Sequence, residues 1–162
     1  MDTTIDHKLL LDFFLTFSRF EFALKTAGFY VKRRNTSLPY EARPDWDSFA
    51  QRLKDGFRTD ATLRLRDACD RLLYNPPWRE VVVGKILGWD STAEDESLSE
   101  IERLLRYVRR VRNNLFHGGK FSALPQLETV RNVSLLEDSL VILQECLRLD
   151  EDVWREYELG AL

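Results

Sequence analysis

The chain has little of what builds covalently or metal-held frameworks. Two cysteines and two histidines occur in 162 residues. Cys69 and Cys146 lie far apart in apolar, helix-like patterns where a small thiol packs well, and neither histidine, His7 or His117, has a ligand-type spacing around it. A disulfide scaffold and a zinc ligand set are therefore excluded, and a reduced, intracellular setting is the expectation. Long apolar runs are also missing. The greasiest piece, Phe13 to Ser18, is closed off by Asp12 and Arg19, whereas a membrane span needs about 20 apolar residues. The first residues carry no basic segment followed by an apolar stretch and a small-residue cleavage site, so the expectation is a cytoplasmic protein with no membrane partner. Nor is there an excess of positive charge. Against 24 Lys and Arg stand 27 Asp and Glu, a net −3, which excludes broad, non-specific coating of nucleic acid. Any such contact must be local. Lys32, Arg33 and Arg34 form one candidate cluster and Arg103, Arg106, Arg109, Arg110 and Arg112 another, although arginines on a helix more often form a solvated face. No phosphate loop, dinucleotide glycine pattern or nucleophile elbow occurs, and no carboxylate pattern demands magnesium. No cofactor is expected.

What is present is helical periodicity. With 44% hydrophobic residues over this length, one core and one domain spanning 1–162 follow. Thr3 to Ala27 reads as a long helix with Leu10, Phe13, Phe14, Phe17 and Leu24 at spacings of three and four and Gly28 as its stop. Phe20 and Phe22 widen its aromatic stripe, which suits either a central core helix or a helix that also meets a second subunit. Tyr30 to Pro44 is loop chemistry. Pro44 and Asp45 open a short helix to about Lys54, with Trp46, Phe49, Ala50 and Leu53 on one side, and a third helix runs from about Asp60 to Tyr74, broken by Asn75, Pro76 and Pro77. Residues 81–87, Val-Val-Val-Gly-Lys-Ile-Leu, suggest a small hairpin with glycine first in its turn. Ser91 to Ser99 is an acidic surface loop whose Ser97 or Ser99 caps a helix to about Phe116, stopped by Gly118 and Gly119, and a last helix covers about Val130 to Leu149. The expected fold is an all-α bundle of four to five helices with a small hairpin-like insert around residues 81–87.

The chemistry concentrates at Arg112 to His117. On a helical wheel with Ile101 at zero, Leu104, Leu105, Val108, Leu115 and Phe116 fall within roughly 60° and define a buried stripe. Arg112 falls at about 20°, in the middle of that stripe, while Arg103 and Arg110 lie on the far side. A guanidinium buried without partners costs several kcal/mol, so Arg112 must be paired or open into a cleft. A purely structural arginine bonded to helix carbonyls is the bland alternative. His117 follows at the helix end, beside two glycines that remove bulk. Asn113, four residues before it on the same side, is placed to bond the imidazole or a phosphate oxygen.

The run Val-Arg-Asn-Asn-Leu-Phe-His-Gly-Gly-Lys, Val111 to Lys120, resembles the R-x(4–6)-H signature of HEPN domains, the higher-eukaryote and prokaryote nucleotide-binding domains. Matched by position, Arg112 is the motif arginine, Asn113 the polar residue that commonly follows it and His117 the motif histidine. The resemblance implies a four- to five-helix bundle that dimerises and brings two motifs to one cleft. It further implies a metal-independent endoribonuclease of the toxin or defence-effector type, with RNA as substrate and a protein antitoxin as possible partner. Arg112, Asn113 and His117 would be catalytic, and Arg109 and Lys120 would contact RNA. Histidine as base for the ribose 2′-hydroxyl and arginine for the crowded phosphate need no metal. Gly119 stands where some HEPN toxins carry a tyrosine that a partner nucleotidyltransferase modifies, so that silencing route is not expected. The alternative reading is a non-catalytic HEPN-like module that binds a nucleotide, RNA or a protein.

Overall fold

The computed structural model describes residues 6–116 and 125–160. Short polar side chains start most of its helices by accepting an otherwise unpaired backbone N–H. Asp6 accepts from the Lys8 amide at 2.9 Å and opens α1, His7–Thr26. The helix ends in a left-handed turn. Gly28 has φ +96°, the Phe29 amide donates to the Leu24 carbonyl at 2.8 Å and the Gly28 amide to the Lys25 carbonyl at 3.2 Å, a Schellman closure that needs a residue free of a Cβ. Phe13, Phe17, Phe20, Ala23 and Leu24 face inward, whereas Leu11, Phe14, Leu15 and Phe22 form an exposed stripe at helical spacing. The aromatic width of α1 is thus two faces, one buried and one not.

Asp45 caps α2, Trp46–Leu53, through the Ser48 amide at 3.0 Å. Its Trp46 stacks on Phe20 with ring centroids 5.3 Å apart, and Phe49 meets Phe20 and Phe29 edge-on. Such buried aromatic rings are each worth about 1.5–3 kcal/mol in apolar burial alone. Thr62 caps α3, Leu63–Tyr74, which starts three residues later than the sequence pattern suggests because Thr62 holds the Leu65 amide. After Pro76 and Pro77 comes an antiparallel hairpin, β1 at Arg79–Val83 and β2 at Ile86–Asp90, with Val83 opposite Ile86 across Gly84 and Lys85. Gly84 has φ +66°, and Asn35 is the one non-glycine with positive φ among the described residues, so the turn has the type II′ pattern. The hairpin is longer than residues 81–87, because Arg79 and Asp90 pair across its base at 2.7 Å.

α4, Glu100–Phe116, packs against α2, α3, α5 (Pro125–Leu149) and β1, while α1 lies against α5 and α6, Glu151–Leu159. The described residues thus hold six helices and one two-stranded sheet, a mostly helical fold with one helix more than the four to five expected. The additional helix is α6. The last expected helix does end at Leu149; after it, buried Asp150 accepts the Val153 amide at 3.0 Å and the Arg52 Nε at 2.8 Å and starts a further helix that the sequence pattern did not assign. α5 also begins earlier than Val130, at Pro125, a residue suited to a helix start.

Candidate functional site

The long helix α4 carries the motif, and its first turn is fixed by a reciprocal capping box. The Ser99 amide and hydroxyl donate to Glu102 at 2.8 and 2.6 Å, and the Glu102 amide returns to the Ser99 hydroxyl at 3.4 Å. Its buried side chains are Ile101, Leu104, Leu105, Tyr107, Val108 and Val111. The stripe read from the wheel is therefore real in its first half and wider than expected. Tyr107 is fully buried beyond its edge, with its hydroxyl accepting the Glu94 amide at 2.9 Å.

The arginines of α4 divide by what they meet. Arg110, placed by the wheel on the far, solvated side, has a side chain only 11% exposed. It donates to Glu94 at 2.5 Å, to the Thr92 carbonyl at 3.0 Å and to the Pro77 carbonyl at 3.3 Å. The connection from β2 folds over that side of the helix, which a single-helix projection does not contain. Arg106 bonds Glu94 at 3.2 Å and lies 3.8 Å from Asp47. Burial pushes the Glu94 carboxyl up, but the Arg106 hydrogen bond and the Arg110 charge outweigh it and hold that carboxyl below its usual range. Arg109 lies 3.6 Å from Asp47 in an exposed pair, so the cation expected to meet RNA is partly compensated already. Asn114, not singled out in the sequence, donates to the Trp78 carbonyl at 2.7 Å and fastens the approach to β1.

Arg112 has neither a carboxylate within salt-bridge distance nor a helix carbonyl among the described residues. Its guanidinium donates to Asn113 Oδ1 at 3.0 Å and lies over the Phe116 ring, 4.9 Å from the centroid, and over Phe17 at 5.7 Å. The residue is half-buried and Asn113 exposed. The wheel left Arg112 either paired or open into a cleft; it has no ion pair among the described residues, and Phe116, counted on the buried stripe, is 49% exposed. Arg103 lies on another side of α4, with its Nε buried and without a partner among the described residues.

Beside Leu115 and Phe116 lies a groove of about 420 Å³, lined by these two residues and by His7, Leu10, Leu11, Phe13 and Phe14 of α1. Phe14 and Phe116 form its aromatic wall, ring centroids 5.3 Å apart. The structure thus brings Arg112, Asn113 and an apolar groove to one end of α4, and it brings His7 there too. The sequence offered no link between His7 and the motif, because helix packing alone joins them. His117, Gly118, Gly119 and Lys120 lie outside the described residues. Among the described residues no cluster of three His, Cys, Asp or Glu side chains is arranged to hold a metal, and no helix is long and apolar enough to cross a membrane. Compared with known protein families, characterised proteins and solved structures, the chain matches none of them.

Proposed function

We propose that this protein is a metal-independent endoribonuclease of the HEPN type, acting as a homodimer in a toxin or defence role. The observation that carries the reading is the state of Arg112. It is a permanent cation in the last described turn of α4, with no carboxylate partner among the described residues, oriented by Asn113 and by the faces of Phe116 and Phe17. Arg110, by contrast, is tied to a carboxylate and two carbonyls. A guanidinium without such partners can receive an anion, and its geometry suits a phosphate.

In the proposed reaction the imidazole of His117 takes the proton of a ribose 2′-hydroxyl, and the 2′-oxygen attacks the adjacent phosphorus. The bond from phosphorus to the 5′-oxygen breaks, leaving a 2′,3′-cyclic phosphate and a 5′-hydroxyl. Arg112 stabilises the charge that gathers on the phosphoryl oxygens, and Asn113 keeps the guanidinium aligned. His117 of the partner subunit protonates the departing 5′-oxygen. DNA lacks the nucleophile and is inert.

The test is incubation of wild type and His117→Ala with mixed RNA in the presence of a chelator, read by product end chemistry. Cyclic-phosphate ends formed by wild type and absent with the folded variant are the expected result. Cleavage retained by clean His117→Ala protein refutes the mechanism.

A further inference from the structure

The groove beside Arg112 has the chemistry of a nucleobase site. Its lining is apolar apart from His7, and its wall is the Phe14 and Phe116 pair. Its volume falls within the range of small-ligand sites, roughly 300–1,000 Å³. The decisive geometry is that one ring serves both neighbours. Phe116 stands 5.3 Å from Phe14 in the groove wall, and the Arg112 guanidinium lies 4.9 Å from the same Phe116 ring. An occupant of the groove therefore packs on the ring that also carries Arg112, a cation with no carboxylate partner among the described residues. A purely apolar occupant has nothing to offer that cation. A nucleotide does: a flat heterocycle that stacks on phenylalanine, joined through its sugar to a phosphate that suits a guanidinium. His7 adds one polar group at the rim, able to donate to or accept from a base edge.

We infer that this groove, between the N-terminal end of α1 and the C-terminal end of α4, takes one unpaired base of the RNA whose phosphate meets Arg112. The inference rests on the ribonuclease reading and narrows its substrate class. A base inside a duplex has both faces stacked and cannot enter, so the substrate is single-stranded RNA or the unpaired part of a loop.

The experiment measures binding apart from cleavage. A fluorescent 2′-O-methyl oligonucleotide, which cannot be cut, is titrated against wild type, Phe14→Ala and Phe14→Trp at fixed low salt. Each titration is run with the single strand, the same strand carrying abasic residues, and a duplex. Phe14 is 43% exposed, so both variants are expected to fold, and thermal melts and solution mass check this. The expected result is about tenfold weaker single-strand binding by Phe14→Ala and recovery in Phe14→Trp, with the abasic strand and the duplex bound poorly by all three. Equal binding of normal and abasic strands, or duplex bound as tightly as single strand, overturns the subsite. So does a change of oligomeric mass in Phe14→Ala without base-dependent binding, which assigns the groove to a second copy of the chain. Failure of the ribonuclease reading is distinguishable, since it shows as cleavage that ignores His117→Ala or never occurs, while base-dependent binding is read independently.

Discussion

Replacing Arg112 by methionine separates a residue kept for chemistry from one kept for the fold. In the structure Arg112 gives up one exposed hydrogen bond to Asn113 and two ring contacts, of which the Phe17 contact, at 5.7 Å, is near the limit of the interaction. Ring contacts of this kind contribute about 0.5–1 kcal/mol each at exposed sites. Methionine keeps the aliphatic stem and brings a sulfur to the same rings, worth about 0.3–1.5 kcal/mol. The terms nearly cancel, and Arg112→Met is expected to fall within about 1 kcal/mol of wild type, a shift in Tm of about 2–4 °C. Arg110→Met is the counterpart. It strips a nearly buried guanidinium from Glu94 and two carbonyls, with Arg106 left to hold Glu94 in part, and should cost about 2–3 kcal/mol. Circular-dichroism melts at pH 7 give the stability order, and RNA cleavage in chelator gives the activity order. Arg112→Met should lose on the order of a hundredfold in cleavage rate while melting near wild type. If Arg112→Met melts lower than Arg110→Met, or cleaves RNA at the wild-type rate, the assignment of Arg112 to an anion is wrong.

Ser99→Ala removes the capping box of α4 and should lower stability by about 1 kcal/mol, measured by urea denaturation, with Ser99→Asp restoring most of it. Glu94 has a carboxyl held below its usual value of 4.5, so its contribution is present above that pH and is lost as pH falls through the lower folded value. Melts between pH 7 and pH 3 should therefore fall less steeply in Glu94→Gln than in wild type, from a lower start, and parallel curves contradict the clamp. Burial pushes the Cys69 thiol up to about 12, with nearby Glu100 and Asp70 adding to it, and raises Cys146 well above 9.0. A thiol-labelling reagent at pH 8 should accordingly reach neither cysteine in the native protein and both in guanidinium, and fast labelling of the folded chain argues against this core.

Features fixed by local chemistry were readable in advance. Gly28 as a stop, Asp45 as a cap, the proline break after Tyr74 and glycine at the head of the hairpin each follow from one residue's conformational freedom or hydrogen-bonding reach. Features set by what covers an element were not. Arg110 and Phe116 exchanged expected environments, since burial on α4 depends on what packs over each side, and the chain after β2 folds over the side that carries Arg110. α6 went unassigned because it is a nine-residue helix with one fully buried side chain, Val153, too weak an apolar pattern to stand out even with Asp150 to cap it. At the site, the motif and the need of Arg112 for a partner or a cleft could be argued from spacing. The meeting of His7 with Phe116 could not, since it depends on how two helices distant in sequence pack.

The fastening by Arg110 also makes the hairpin a detachable appendage. One guanidinium grips the Pro77 carbonyl just before β1 and the Thr92 carbonyl just after β2. Between those points Asn114 holds the Trp78 carbonyl and β1 touches α4, but beyond that base the strands pair with each other and the tip residues Val82, Val83, Ile86 and Leu87 stand in solvent. The loop is cinched at its neck, so what its tip carries is remote from the bundle below. Residues 84 and 85 are therefore a natural graft point. A tag or fluorophore inserted there should ride outside the helices and leave the end of α4 undisturbed, giving a handle for following assembly and RNA encounter in the intact protein.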